Sequence, residues 1–440
     1  AVNTDEYRAG ETFVEGGNRT NTRSGQFPFP WRQRSWRRKE VAVSHSLFRK
    51  DTVAPGDGKS IEFMTEGGRM ERSNGAPAVK TARITSVDAL RGFDMFWIKG
   101  GEGLVHSLYA LLPVPVMAAI DGQFEHVEWA GFHFYDLIFP LFLFLVGVVL
   151  PFSMGRHAEE GADKLHLYWR ALRRLALLFF LGLIYNGLFQ TPLHELRIPG
   201  VLQRIAICYF IAAIVVIHLK ARGQAIVAGA LLLGYWAIMM LVPVPGVGAG
   251  DLSPAGNLSG YIDRLLIPRP FCCYDFGDNE GLLSTIPAVA TTLLGALAGW
   301  WLRSGREPAE KAKGLAMAGV ACLAAGSVWS IWFPIIKNIW SSSFVLFAGG
   351  WSLLLLALFY WIIDVRGYKR WSFFFLVIGA NAILIYVLRG LINLNMVLRW
   401  LGYVPNTIDA GWMLVLRLVE LACFWLLLLF LYRKRWFLRV

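Results

Sequence analysis

The chain has 440 residues, of which 55% are hydrophobic and only 17% charged, with a mean hydropathy of +0.47. Soluble domains are usually roughly 45–50% apolar and about 25% charged, so this composition excludes an ordinary soluble enzyme. The net charge of +12 would suggest nucleic acid in a soluble protein, but there is no finger motif and no basic groove with interleaved aromatics; no nucleic-acid partner is expected.

Residues 1–83 are polar and rich in Gly, Arg and Ser, with Arg32, Arg34, Arg37, Arg38 and Lys39 in one cluster. They lack the apolar core of a secretory signal and are read as a disordered, cytoplasmic N-terminal extension. Met70 is read as the natural start, which would leave residues 1–69 outside the native chain. Residues 84–440 read as one transmembrane domain. A span needs about 20 apolar residues, and the candidates are 88–112, 135–154, 171–189, 198–219, 224–243, 283–302, 314–333, 342–363, 371–390 and 411–432. The fold class expected is therefore all-α, a polytopic membrane protein of about ten transmembrane helices. Lys and Arg crowd the loops of one side, while the other holds only Arg197, Arg264, Arg269, Lys337 and Arg399. That asymmetry puts both termini in the cytoplasm. The loop carrying His126 is then exterior, as is the longest loop, 243–282, whose length points to function or disorder.

Several polar groups stand where apolar ones are expected. His126 precedes Asp136 by ten residues, and Asp136 opens the second span. A titratable imidazole at the water boundary with a carboxylate just inside can pass protons or an acyl group. His106 and His133 are nearby competitors, but no helical ligand pair appears, and no metal is expected. Asp88 and Arg91, three apart, can pair on one helix face. Lys99 and Glu102 share that spacing deeper in the first span, where charge is costly and marks function. Gly100, Gly101 and Gly103 around them allow close backbone approach. Arg197, Gln203 and Arg204 flank a helix start at Pro199 and admit two readings, a snorkelling anchor or recognition of an anion or acyl carbonyl. Cys208, Cys322 and Cys423 lie in apolar spans. Cys272 and Cys273 are adjacent in the long loop, where a vicinal disulfide is one option and redox chemistry is not expected.

The chain resembles the heparan-α-glucosaminide N-acetyltransferase family, including its bacterial relatives. The matching stretches run in order: SVDALRG at 86–92, DLIFP at 136–140, RIPGVLQR at 197–204, GYIDRLL at 260–266, EGLLSTI at 280–286, KNIWS at 337–341 and DVRG at 364–367, with a looser match, GANAIL, at 379–384. The resemblance implies transmembrane acetylation, in which cytosolic acetyl-CoA supplies an acetyl group to a glucosamine amine on the far side. The family's active-site histidine falls on His126, with Asp136 or Glu102 to orient the imidazole and Lys99 beside them. The matched motifs offer Arg197, Gln203, Arg204, Asp263, Arg264, Glu280, Asn338, Trp340 and Asn381 as substrate or CoA contacts. Arg173 and Arg174 are candidates for the CoA phosphates at the cytoplasmic mouth. Where the animal enzymes carry an Asn-Tyr pair, this chain has Ile98 and Lys99, and no counterpart of their exterior domain is expected ahead of the first span. Heparan sulfate itself is therefore a poor fit as substrate, and a periplasmic amino sugar or another polysaccharide unit fits better.

Acetyl-CoA is thus the expected co-substrate. Membrane lipid, a small-molecule or saccharide acceptor and a second copy in a homodimer are the expected partners, and a bacterial inner membrane the expected location. His126 would either carry the acetyl group or take the amine's proton. The alternative is a transporter for amino sugars, since ten spans with buried charge also describe a carrier, although carriers favour the midplane and repeat symmetry. A purely structural scaffold leaves Lys99, Glu102 and Asp136 without a purpose.

Overall fold

The computed structural model describes residues 84–268, 270–391 and 409–438. The expected N-terminal extension, Met70, Arg269 and Arg399 lie outside the described residues. Fourteen helices are used below: α1 Thr85–Phe96, α2 Glu102–Leu111, α3 Pro115–Gly122, α4 Ile138–Leu150, α5 Lys164–Tyr185, α6 Val201–His218, α7 Ala221–Leu241, α8 Leu258–Leu266, α9 Thr285–Arg303, α10 Pro308–Trp329, α11 Ser342–Tyr360, α12 Phe373–Gly379, α13 Ala382–Leu391 and α14 Ala410–Arg433. The sole regular sheet among the described residues is a small hairpin, β1 Cys273–Tyr274 against β2 Gly277–Asp278, antiparallel.

Among the described residues, seven helical segments are long and apolar enough to cross a membrane: Phe134–Glu159 around α4, α6, α7, α9, α10, Ser342–Val365 around α11, and α14. They make the chain a multi-pass membrane protein. The other three expected spans differ for identifiable reasons. The first, 88–112, breaks at Gly100, whose backbone leaves helical geometry within a wide turn at Trp97–Gly101. Clustered glycines have little helix propensity to resist such a turn. The third lies in α5, whose first half carries Lys164, Arg170, Arg173 and Arg174, so its apolar stretch is short. The ninth, 371–390, is interrupted between α12 and α13 at Ala380 and Asn381.

With lipid on the outside, helices in a membrane attract one another through close packing more than through the hydrophobic effect. Here small residues let backbones touch. A Cβ on Gly147 of α4 would lie 1.9 Å from the carbonyl oxygen of Thr292 on α9, and one on Gly295 would lie 1.9 Å from that of Phe144. The same device joins α1 to α12, where Gly92 meets the Phe375 carbonyl and Gly379 the Asp88 carbonyl. Helices α4, α6 and α9 contribute Leu141, Phe144, Ala206, Ala213, Leu293 and Ala296 to the core, all fully buried. Away from this core, α14 buries only Leu428.

The described residues of the long loop 243–282 include α8 and the hairpin. The Asn257 side chain caps α8 by accepting from the Gly260 N–H at 2.7 Å. The hairpin follows, and its Asp278 is fully buried.

A methyl group at Gly295 has no room. Gly295→Ala is expected to lower stability by about 3 kcal/mol, whereas Gly305→Ala, which meets nothing within 4 Å, leaves it unchanged. Thermal unfolding in detergent measures both. Equal stability of the two variants would mean that α4 and α9 are not in backbone contact.

Candidate active site

The loop between α3 and α4 and the loop between α10 and α11 meet at one end of the bundle. Ala130 and Ile336 form a backbone bridge, and Gly131 donates its N–H to the Ile335 carbonyl at 2.9 Å. This clamp sets His126 and Lys337 side by side. Asp136, at the start of the α4 segment, stands behind them with its side chain 2% exposed, while the His126 side chain is 53% exposed.

Asp136 is the common partner. Its Oδ1 lies 2.8 Å from His126 Nδ1 and accepts from Lys337 Nζ at 3.0 Å. Its Oδ2 accepts the His133 N–H at 3.1 Å. His133 completes a reciprocal cap at the helix start, and its Nδ1 lies 3.0 Å from the Glu125 carbonyl oxygen, so this competing histidine is structural. With Nδ1 protonated, the His126 ring donates to Asp136 and leaves the Nε2 lone pair available. A buried carboxylate that orients an exposed imidazole in this way suits a base or nucleophile.

His126 borders two hollows. The larger, about 520 Å³, is lined by His126, Lys337, Asn338, Arg197, Glu280 and Tyr135, with apolar walls from α4, α6 and α13. The shallower, about 400 Å³, is lined by Glu102, His106, Phe124, Glu125, His126 and Tyr135. A third cavity of about 270 Å³, with Arg91 and Arg174 in its wall, shares Phe142, Leu202, Ile205 and Ile383 with the larger hollow.

The other expected residues divide into those that reach a cavity and those held by the fold. Arg197, Glu280 and Asn338 line the larger hollow. Arg197 is already paired, donating from Nε and Nη2 to Asp278 at 2.8 and 2.6 Å and also bonding Glu280. These partners raise the Arg197 pKa against the desolvation that would lower it. Arg174 lines the third cavity and stacks on Tyr209, whereas Arg173 is exposed. Gln203 is buried and donates to the Ile198 carbonyl at 3.0 Å. Arg204, 1% exposed, donates to the Gly281 carbonyl and Ser284. Asp263 accepts the N–H groups of Leu282 and Asp278 at 3.0 and 3.2 Å, and Arg264 donates to the Phe276 carbonyl. The Trp340 indole donates to Thr291 at 3.1 Å. Asn381 binds the Trp436 carbonyl and the Leu438 N–H. None of these last six lines a cavity beside His126.

Lys99 and Glu102 part company. The wide turn at Trp97–Gly101 rotates them apart, so Lys99 pairs with Glu420 of α14 at 2.9 Å and lies over the Phe424 ring. Glu102 accepts from the Tyr135 hydroxyl, lies 3.7 Å from His106 and faces the shallower hollow. Asp88 and Arg91 pair as expected, at 3.5 Å. Cys272 and Cys273 are joined in a vicinal disulfide and line the larger hollow. Sequence reasoning did not single out Lys337, Glu420, Tyr135 or Arg91 for the site. For Lys337 a signal existed, since it is one of few cations on a side poor in them.

No family model matches the chain. Heparan-alpha-glucosaminide N-acetyltransferase of Homo sapiens is 27% identical to it over 360 residues, covering 69% of this chain and 52% of that protein. The Mus musculus protein of the same name is 28% identical over 321 residues, covering 60% and 48%. The chain is thus similar to two heparan-alpha-glucosaminide N-acetyltransferases. It spans about half the length of the curated relatives it matches. Several of the motifs that carry the resemblance meet in space. The stretch at 86–92 joins that at 364–367 through the Ser86 N–H, which donates to Asp364 at 3.1 Å. The stretches at 197–204, 260–266 and 280–286 share the Arg197–Asp278–Glu280 cluster and the Asp263 contacts.

Two outcomes follow from these contacts. Glu420→Gln is expected to lower stability by about 3 kcal/mol, because it removes the carboxylate that partners buried Lys99, and Lys99→Met in the same chain is expected to recover most of it. Thermal unfolding of the single and double variants measures the coupling, and additive losses would mean none. Burial raises the Asp263 carboxyl from 3.8 to about 6. Folding thus favours the protonated form: the stabilisation is complete below about 3.8 and is lost as pH rises through about 6. Unfolding scans at pH 4 and pH 7 are expected to show a loss in the native chain that Asp263→Asn abolishes, and an unchanged loss in the variant would assign it elsewhere.

Proposed function

We propose that the chain is a membrane acetyltransferase of about ten spans in a cell inner membrane, with both termini cytoplasmic. It takes acetyl-CoA from the cytoplasmic side and delivers the acetyl group to the amine of a glucosamine-type sugar on the exterior side. The observation that carries this reading is the position of His126, backed by Asp136 and placed in the wall between two hollows. The names of the curated relatives support the same chemistry.

The donor route would run through the cavity of Arg91 and Arg174, whose guanidinium groups suit phosphate oxygens. The thioester arm would cross the apolar partition of Phe142, Leu202, Ile205 and Ile383 and reach His126 through the larger hollow. The acceptor would enter the shallower hollow, where Glu102 and Glu125 suit an ammonium group.

This arrangement favours the version in which His126 carries the acetyl group. Its Nε2 attacks the thioester carbonyl, an N–C bond forms, the C–S bond breaks, and CoA leaves as the thiolate. Asp136 stabilises the imidazolium character that develops on the ring. The sugar ammonium gives one proton to water, attacks the acetyl carbon as the free amine, and gives its second proton to water as the amide forms. The amide bond forms, the imidazole N–C bond breaks, and His126 returns to its starting state.

Purified protein in liposomes, supplied with radiolabelled acetyl-CoA and glucosamine, tests the reading. His126→Ala is expected to reduce acetyl transfer at least about a hundredfold. Without acceptor, the native protein is expected to release one equivalent of CoA in a burst. Glucosamine uptake without acetylation, indifferent to His126, would instead support the carrier. Transfer with no burst would replace the acetyl-histidine with direct attack in a ternary complex.

A further inference from the structure

Three atoms define a nearly equilateral triangle. His126 Nδ1 and Asp136 Oδ1 are 2.8 Å apart, Lys337 Nζ and Oδ1 3.0 Å, and Lys337 Nζ and His126 Nδ1 2.9 Å. Lys337 Nζ is also 3.3 Å from His126 Nε2. The carboxylate oxygen has lone pairs for both nitrogens. The third side is different, because it joins two bases and has room for one proton. When Nδ1 keeps its hydrogen on Asp136, the ammonium directs its own hydrogens to Oδ1 and away from the ring, and a second proton at Nε2 makes the ring a like charge at contact distance.

We propose that Lys337 is a positioning residue that keeps the His126 imidazole neutral, by sharing Asp136 with it and by repelling a second proton on the ring. The purpose of this device rests on the acetyl-transfer reading, since a protonated ring can neither attack a thioester nor accept a proton. A buried carboxylate alone would pull the imidazole toward its charged form. Lys337 offsets that pull while leaving Asp136 free to orient the ring.

The remaining charges around His126 do not substitute for it. Glu102 and His106 on α2, with Glu125, face the ring from the shallower hollow. Glu128, Arg197 and Glu280 line the larger one. The carboxylates among these favour imidazolium, and Arg197 is bonded to Asp278 and Glu280. Tyr135 packs its ring 5.0 Å from that of His126 and bonds Glu102. Burial lowers the Lys337 pKa, while Asp136 and Glu280 hold it up. The carboxylate that orients His126 thus also opposes the fall in the Lys337 pKa that burial causes.

The test reads the protonation of His126 directly. Diethyl pyrocarbonate reacts with neutral imidazole, and peptide mass spectrometry assigns the product to His126 in the full-length chain. The midpoint of reaction rate against pH is expected to rise by about one to two units in Lys337→Met and to stay near the native value in Lys337→Arg. Asp136→Asn, the opposite control, is expected to lower it. The acid limb of kcat/KM for acetyl transfer should move with the midpoint in each variant. A native midpoint in Lys337→Met overturns the proposal, as does a Lys337→Arg variant that titrates like Lys337→Met. Because the modification needs no catalysis, a chain that transfers no acetyl group still gives either answer.

Discussion

A single buried carboxylate organises one end of this protein. Asp136 receives the His126 ring, the Lys337 ammonium and the His133 backbone, so two loops converge on one side chain. A carboxylate can be buried only if its lone pairs are occupied by such partners. The same requirement that keeps Asp136 stable therefore determines where His126 points. The orientation of the imidazole comes with the folding of the helix start.

The carboxylate in turn depends on the helix beneath it. Close contacts of Gly147, Gly295 and Gly299 hold the α4 segment against α9, and contacts of this kind are what membrane helices use when apolar burial between them gains little. The end of α4 is consequently set from below by backbone packing and from above by ion pairing. The apolar partition beside the cavities is built on the same rigid elements, because Phe142 belongs to α4 and Leu202 and Ile205 to α6.

Much of this architecture is legible in the sequence, and the exceptions have physical causes. Runs such as 138–150 or 342–360 are mostly apolar and carry no charge, so their length identifies them. The segment 88–112 is long enough to span but carries charged residues, and Gly100 lets the backbone change direction and carries Lys99 toward α14. Spacing arguments fail there because they assume an unbroken helix, and Glu420, more than 300 positions away, leaves no local trace beside Lys99. At the site, His126 and Asp136 are legible because they are close in sequence. Lys337 sits in a matched motif, but 211 positions separate it from His126. Gln203, Arg204, Asp263 and Asn381 show the opposite difficulty. Polar residues of a motif that satisfy backbone groups are indistinguishable in sequence from those that face a ligand.

The bridge between Ala130 and Ile336 has a mechanical consequence. Membrane helices tilt to match the local thickness of the bilayer, and such tilting would change distances between groups on separate helices. His126 and Lys337 sit on loops joined to each other by main-chain bonds, with Asp136 at the adjoining helix start. Their separation is thereby uncoupled from bilayer thickness. Helices can adjust to lipids of different chain length while the trio keeps its spacing.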